Sequence, residues 1–334
     1  MEGEHSALAI RPCGRIAPYE LRPADQERPA PMIETCRGIV TAWEVDHVGH
    51  FTVAYYHQRI EDAGFVLLEA IGLGPTYVRS EGRGCPTTDC LVRYQRELRG
   101  GDIYHVRSGV LAVEDAALVL GHKLFDSGSG VLCTTVEQRV AHVGLAAGEP
   151  IPLAAASRRA AEAHRVDWEE PPRERRPQPQ GDQGFIDGSL DTVKLSEMGL
   201  LGRSTLPHYI HRFSASGGHL MAAFGMTPAY MRAEQRGLST FEFQLAIAGP
   251  LRSGDIVRVW SALVHVGNSS LRFFHRMTNV QTGEQLATLE QSGVHLDREA
   301  RRPAPLPDAL RSKAVAMLAP TAGRPPAHLP STHA

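Results

Sequence analysis

Charge of one sign is missing from this chain: 35 Lys and Arg stand against 37 Asp and Glu in 334 residues, a formal charge of −2. A dedicated nucleic-acid binder needs a concentrated positive surface for its phosphate contacts, so the balance argues against that class. The one dense basic stretch, Arg173 to Arg176, is interrupted by Glu174 and flanked by Pro172 and Pro177, which reads as a solvated linker. No apolar run approaches the roughly 18–20 residues of a membrane span. The start, MEGEHSALAIRPCGR, is acidic and has no apolar signal core, which predicts a cytoplasmic protein. The five cysteines, Cys13, Cys36, Cys85, Cys90 and Cys133, form no CxxC pair, so a zinc finger has no cysteine half. They read as small buried or strand thiols of a reducing compartment, and no metal is expected. What remains, 42% hydrophobic and 22% charged residues, is the profile of a soluble globular protein long enough for two domains.

Those two domains are copies of one another. Sliding the sequence by 153 positions sets Gly49 on Gly202, Glu44 on Glu197, Tyr56 on Tyr209, Arg59 on Arg212 and Gly72 on Gly225. The same shift, without a gap, lays Leu98-Arg99-Gly100-Gly101-Asp102-Ile103 on Leu251-Arg252-Ser253-Gly254-Asp255-Ile256, His122 on His275 and His142 on His295. More than a quarter of the aligned positions are identical, well above what composition alone gives. The copies are placed at 37–161 and 190–314, each of ordinary domain size. Residues 162–189 between them are rich in Pro, Gln, Glu and Arg without apolar periodicity, which marks an extended linker. The extension 1–36 and the tail 315–334 are Pro-rich and polar, and are expected to be mobile.

Within a copy the element order is legible. Cys36–Val45 alternates and is rich in β-formers, predicting a strand. Thr52–Ile71 carries Val53, Tyr56, Ile60, Ala63, Leu67, Leu68 and Ile71 at helical spacing, and Gly72 ends the helix. Strand-like runs follow at Thr87–Leu98, Ile103–Glu114, Leu118–Asp126 and Leu132–His142, broken by Gly100-Gly101 and Glu114-Asp115 turn chemistry. One strand, one long helix and four meandering antiparallel strands make an α+β layer in which the sheet wraps the helix. That order is the hotdog fold, and two copies make a double hotdog. The copies are expected to pack as a pseudo-twofold pair, with sheets joined edge to edge and both long helices on one side.

The segment WEVDHVGHFTVAYYHQRIEDAGFVLLEAIGL resembles the opening motif of the acyl-CoA thioesterases of the 4-hydroxybenzoyl-CoA thioesterase-like group. TTDCLVRYQRELRGGDIYHVRSGVL and VEQRVAHV are similar to later stretches of that group, and the subgroup containing betainyl-CoA thioesterases is the nearest in flavour. The resemblance spans both copies. It implies a hydrolase that cleaves a small acyl-CoA to free acid and CoA, with CoA as part of the substrate and no separate cofactor. It implies no nucleic acid or membrane partner and is compatible with a homo-oligomer of double-hotdog chains.

Thioester cleavage suits these residues physically. A carboxylate just ahead of a helix sits where a bound carbonyl meets the first free backbone N–H groups, which with the helix dipole stabilise a developing oxyanion. By the resemblance, Asp46 acts as nucleophile or as general base on water; both roles need an ionised carboxylate, and an Asp here can also simply cap the helix. Gly49 clears the approach of the thioester to the backbone. His50 is a candidate to orient the carboxylate or bind substrate, with a partly exposed polar residue as the bland reading. Tyr55 is a candidate substrate contact, whereas Tyr56, His122/His275 and His142/His295 recur in both copies and are better explained by the fold.

Copy 2 departs from the motif: Gly199 stands where Asp46 stands, and Arg203 where His50 stands. Pro207 suggests a helix start displaced a few residues later. Copy 2 is therefore expected to supply the opposing wall of a single Asp46 site through Thr240 and Glu242, with Thr87 and Asp89 facing the degenerate half. Arg203 is a candidate for a CoA phosphate, with a solvated surface arginine as the alternative. Trp43, Glu44, Tyr55, Glu242 and Trp260 form a candidate pocket for a quaternary ammonium acyl group. Two other functions stay open. A hotdog enoyl-CoA hydratase or dehydratase would place a His five positions after the Asp, where this chain has Phe51. A non-catalytic acyl-CoA-binding module would keep the pocket without turnover.

Overall fold

The structure, a computed structural model, describes residues 31–321. Copy 1 runs β1 (Ile33–Ile39), α1 (Val53–Ala70), α2 (Pro75–Glu81), β2 (Arg83–Gly84), β3 (Thr87–Tyr94), β4 (Ile103–Val113), β5 (Ala117–Asp126), β6 (Leu132–Ala141), β7 (Val143–Gly144) and α3 (Ala155–Ala163). Copy 2 runs β8 (Phe185–Thr192), α4 (Leu206–Ala223), α5 (Pro228–Ala233), β9 (Arg236–Ile247), β10 (Ile256–Val266), β11 (Ser270–Asn279), β12 (Gln285–Asp297), β13 (Arg302–Pro303) and α6 (Asp308–Ala316). The first strand ends earlier than expected, at Ile39, because Ala42–Glu44 turns into a 3-10 helix in which the Glu44 carboxylate accepts from the Thr41 N–H and hydroxyl.

The apolar stripe of α1 buries Tyr56, Ile60, Ala63, Leu67 and Leu68, and Gly72 (φ +77) closes the helix in the left-handed conformation. The second long helix is not displaced. It begins at Leu206, the counterpart of Val53, with Pro207 in its first turn, where a missing N–H costs nothing. The expected shift at Pro207 is therefore corrected.

Ten strands follow one another in a single antiparallel path, β1-β4-β5-β6-β3-β9-β12-β11-β10-β8, with β13 added beside β12. The seam is β3 against β9, where Leu91 pairs with Gln244, its own repeat counterpart, and Cys90–Leu245 and Val92–Phe243 lie symmetrically about it. The pseudo-twofold axis thus passes through the Leu91–Gln244 pair. One apolar cluster joins Ile60, Cys90 and Val92 of copy 1 to Tyr209, Phe213, Phe243 and Leu245 of copy 2, so the two copies share a core. The expected edge-to-edge double hotdog is what the chain forms.

The linker is extended but not free in solvent. Arg173 bonds Asp89 of β3 and Gln244 of β9, while Arg176 lies between Glu242 and Glu290 at 2.7 and 2.6 Å. The solvated reading of this basic stretch is overturned: its two outer arginines pin it across the seam of the sheet. The extension 1–36 and the tail 315–334 fall largely outside the described residues. Of them, Ile33 onward forms β1, and Leu318 and Thr321 make isolated bridges to Leu263 and Pro179.

Candidate active site

Each copy presents a turn that leads into its long helix, and the residues shared by both copies build that turn. Glu44 is buried against Arg59, whose Nε also donates to the Tyr104 hydroxyl at 2.5 Å. Glu197 is buried against Arg212 at 2.9 Å, and Arg212 reaches Asp191 as well. Burial opposes charge on Arg212, yet its hydrogen bonds to Glu197 and Asp191 hold its pKa above the usual arginine value. In both copies the glutamate's backbone carbonyl takes the N–H of the helix-capping threonine, Thr52 or Thr205. The Glu/Arg pair therefore fixes the turn to its helix, which explains its presence in both halves.

The other repeated polar residues are structural too. The Tyr56 and Tyr209 hydroxyls accept from the Leu98 and Leu251 N–H groups. His142 and His295 each bridge a tyrosine hydroxyl and a backbone carbonyl. His122 is buried between Ser108 and Gln138, and burial pushes its pKa down to about 4, so it is a neutral connector.

At the first half-site, one Asp46 carboxylate oxygen accepts from the Val48 N–H at 2.9 Å and the His50 N–H at 3.0 Å. Gly49 is exposed with φ +86, a conformation that side chains avoid, and its N–H closes the turn onto the Asp46 carbonyl. Among the described residues beyond its chain neighbours, no atom lies within 4 Å of where a Gly49 side chain would begin, so the glycine is required by backbone conformation rather than by a clash. His50 Nε2 lies 2.6 Å from Glu97 and 2.7 Å from the guanidinium of Arg301 in copy 2. Burial lowers the His50 pKa, and Glu97 and Asp46 oppose that shift. Arg298 donates to the His47 carbonyl, so copy 2 closes over this loop. Tyr55, partly buried, stacks on Phe51 and meets His211 of α4 edge-on.

The two residues expected on the opposing wall are not brought together. A bulge at Ser292/Gly293 shifts the register between Glu242 and Thr240. The Thr240 hydroxyl accepts from Gln291, whereas Glu242 is held by the linker's Arg176. The candidate cationic pocket is likewise dispersed: Trp43 is 76% exposed, Glu44 is held by Arg59, and Trp260 lies beneath Arg258.

The second half-site has a carboxylate that sequence comparison did not single out. Glu61 of α1 reaches across to α4 and accepts from the Leu206 N–H at 3.2 Å. Burial is the main cause that raises its pKa to about 7; the Leu206 N–H opposes this and Asp62 adds to it. Glu61 lines a cavity of about 30 Å³ with Thr87, Gly199, Arg203 and Ser204. Thr87 thus faces this half as expected, while Asp89 does not: it bonds Arg173. A signal for Glu61 was present, an acidic residue at i with Gly64, Phe65 and Leu68 on one helix face. Because its counterpart is Ser214, comparing only the residues common to both copies passes over it.

Among the described residues no group of three or more His, Cys, Asp or Glu is placed to hold a metal ion, and no helix is long and apolar enough to cross a membrane. The profile of the thioesterase-like superfamily matches residues 40–161 and again residues 195–314. The chain belongs to that superfamily. It is 28% identical over 131 residues to the L-carnitine dehydrogenase/betainyl-CoA thioesterase of Rhizobium meliloti, a match covering 39% of this chain and 26% of the relative. It is 29% identical over 132 residues to the betainyl-CoA thioesterase of Pseudomonas aeruginosa, covering 38% of this chain and 82% of that one. The match thus spans about a quarter of the length of the first relative. In three dimensions it resembles a putative oleoyl thioesterase from Lactobacillus plantarum, with TM-score 0.64 and 13% identity over 79% of this chain and 96% of the other. An acyl-ACP thioesterase from Bacteroides thetaiotaomicron gives 0.61 and 13% over 77% and 96%. The tandem hotdog and the thioester-cleaving family that the motif implied are both borne out.

Proposed function

We propose that the chain hydrolyses a small acyl-CoA to the free acid and CoA, with Asp46 as nucleophile or general base. The observation that carries this reading is the turn from Asp46 to His50, which holds an oriented carboxylate ahead of the N-terminus of an 18-residue helix. Two backbone N–H groups on one oxygen hold that carboxylate in a fixed orientation. As nucleophile, Asp46 would bond the thioester carbon, expel CoA as thiolate and leave an anhydride for water to cleave. As base, it would take a proton from water as the water oxygen attacks the same carbon. In both cases the first N–H groups of α1 would be the donors to the oxygen on which charge develops.

Family membership and the betainyl-CoA relatives support a CoA ester with a short acyl group. The hydratase reading gains nothing, because Phe51 is buried in the core and His50 is occupied by Glu97 and Arg301. Thiol release from a panel of acyl-CoA esters tests the proposal: hydrolysis that falls on Asp46→Asn supports it, and no release from any ester refutes it.

A further inference from the structure

The two half-sites have exchanged their acids. The first has Asp46 in its turn, and Ser214, the counterpart of Glu61, exposed on the helix of the other copy. The second has Gly199 in its turn and Glu61 on the facing helix, bonded to the Leu206 N–H. Each half keeps one carboxylate at the start of a long helix, supplied by the turn in one case and by the opposite copy in the other. A half-site that had merely decayed gives no reason to bury an acid there, since burial opposes its ionised form.

Three further features surround Glu61. Ser204 is 5% exposed and lines the same cavity, and its hydroxyl has no hydrogen-bond partner among the described residues. A buried hydroxyl left unpaired is costly, and a carbonyl oxygen in the cavity would satisfy it. A second small cavity, of about 20 Å³, adjoins Glu61 along α1, lined by Gly64, Phe65, Leu68 and Cys85 together with Thr87 and Gln138. On the solvent side the first cavity shares Leu201 and Arg203 with an open cleft of about 470 Å³ that also contains Arg252. The Arg203 side chain is partly buried with no hydrogen bond or ion pair to any described residue, and burial pushes its pKa below the usual arginine range. Arg203, Glu61 and Ser204 thus border one cavity, with Arg252 in the cleft beside it.

We propose that this second half-site is itself a thioester-hydrolysing site, with Glu61 as general base for water and Ser204 as hydrogen-bond donor to the thioester carbonyl. The inference rests on the acyl-CoA reading given above. The Leu206 N–H holds the Glu61 carboxylate in place. Glu61 takes a proton from water while the water oxygen bonds the carbonyl carbon. The C–S bond then breaks, and the departing CoA thiolate recovers the proton from Glu61, leaving free acid and CoA. Arg203 and Arg252 face the phosphates of CoA. The charged and titratable groups around Glu61 are Asp62 on its own helix and Arg203 and Tyr209 from copy 2.

The test uses the full chain with Asp46→Asn as background. Thiol release from short acyl-CoA esters should persist there, with a rate that rises with pH through about 7 as Glu61 ionises. Adding Glu61→Gln should remove that turnover by about 10²–10⁴-fold, the range for a positioned acid–base group, and Ser204→Ala should lower it about 10²-fold or more. Glutamine still accepts from Leu206, so the fold is retained, and matching melting curves verify this. Residual turnover indifferent to Glu61→Gln, or no turnover at all in Asp46→Asn when the wild type is active, overturns the proposal. If the wild type cleaves no ester, the acyl-CoA hydrolase reading fails separately. Calorimetry with a non-hydrolysable acyl-CoA thioether then decides for this site. Weaker binding in Ser204→Ala and Arg203→Gln supports it, and unchanged affinity in both overturns it.

Discussion

Replacing Arg176 by methionine should cost this fold about 3 kcal/mol, although the residue lies in a Pro-rich linker. Its Nη1 donates to Glu242 and Glu290 at 2.7 and 2.6 Å, and all three side chains are only 10% exposed. Burial alone would lower the Arg176 pKa, but hydrogen bonds to Glu290, Glu242 and Glu174 hold it above the usual range. Arg176→Met keeps the stem and leaves two buried carboxylates facing each other. Breaking a buried pair by removing one partner costs about 3–5 kcal/mol. The low end applies, because Arg93 and Arg272 remain 3.7 and 3.8 Å from the two acids. Urea denaturation at pH 7.5 measures the loss, with a melting point lower by roughly 6–12 °C at about 2–4 °C per kcal/mol. In the variant one carboxylate should hold its proton, its folded pKa rising above the unfolded value. The deficit should therefore shrink as pH falls from 7.5 to 5, and Glu290→Gln on top should recover part of it. A change within 0.5 kcal/mol of wild type, the ordinary result for a solvated linker, would refute the reasoning.

Asp46→Asn should reduce turnover at the first half-site by about 10²–10⁴-fold while melting near wild type, since asparagine still accepts from Val48 and His50; whole-chain thiol release then falls to the share carried by Glu61. Gly199→Asp should not create a second Asp46-like turn, because a side chain there begins 2.7 Å from the Thr205 methyl; its melting point should drop without a gain in activity. Glu61 has a folded pKa of about 7, above the unfolded glutamate value, so its contribution to stability is present at low pH and lost as pH rises from about 4.5 to 7. Wild type should therefore lose stability relative to Glu61→Gln across that window, and parallel curves for the two in denaturant would contradict its burial.

The repeat, the helices and the strand order were legible because each rests on local chemistry. Periodicity fixed α1, Gly72 its end, and Gly100-Gly101 a turn, while the 153-residue offset carried all of this into copy 2. Histidines and tyrosines common to both copies were rightly read as structural, since the shared turn and sheet are what they hold. Three things were not legible. The bulge that parts Thr240 from Glu242 depends on pairing with β12, which no local pattern announces. The engagement of Arg173 and Arg176 depends on acids from three strands meeting on one sheet face. Glu61 depends on the approach of α1 to α4 across the pseudo-twofold, a contact between residues 145 apart in sequence.

The decisive assay follows free thiol and free acid from a panel of short acyl-CoA esters, for the wild-type chain and for Asp46→Asn/Glu61→Gln side by side. Wild type should release the two products in equal amounts, and the double variant should fall by about 10²–10⁴-fold in kcat with its fold intact. A wild type no faster than buffer on every ester, or a double variant as fast as wild type, would contradict thioester hydrolysis by carboxylates at these helix termini.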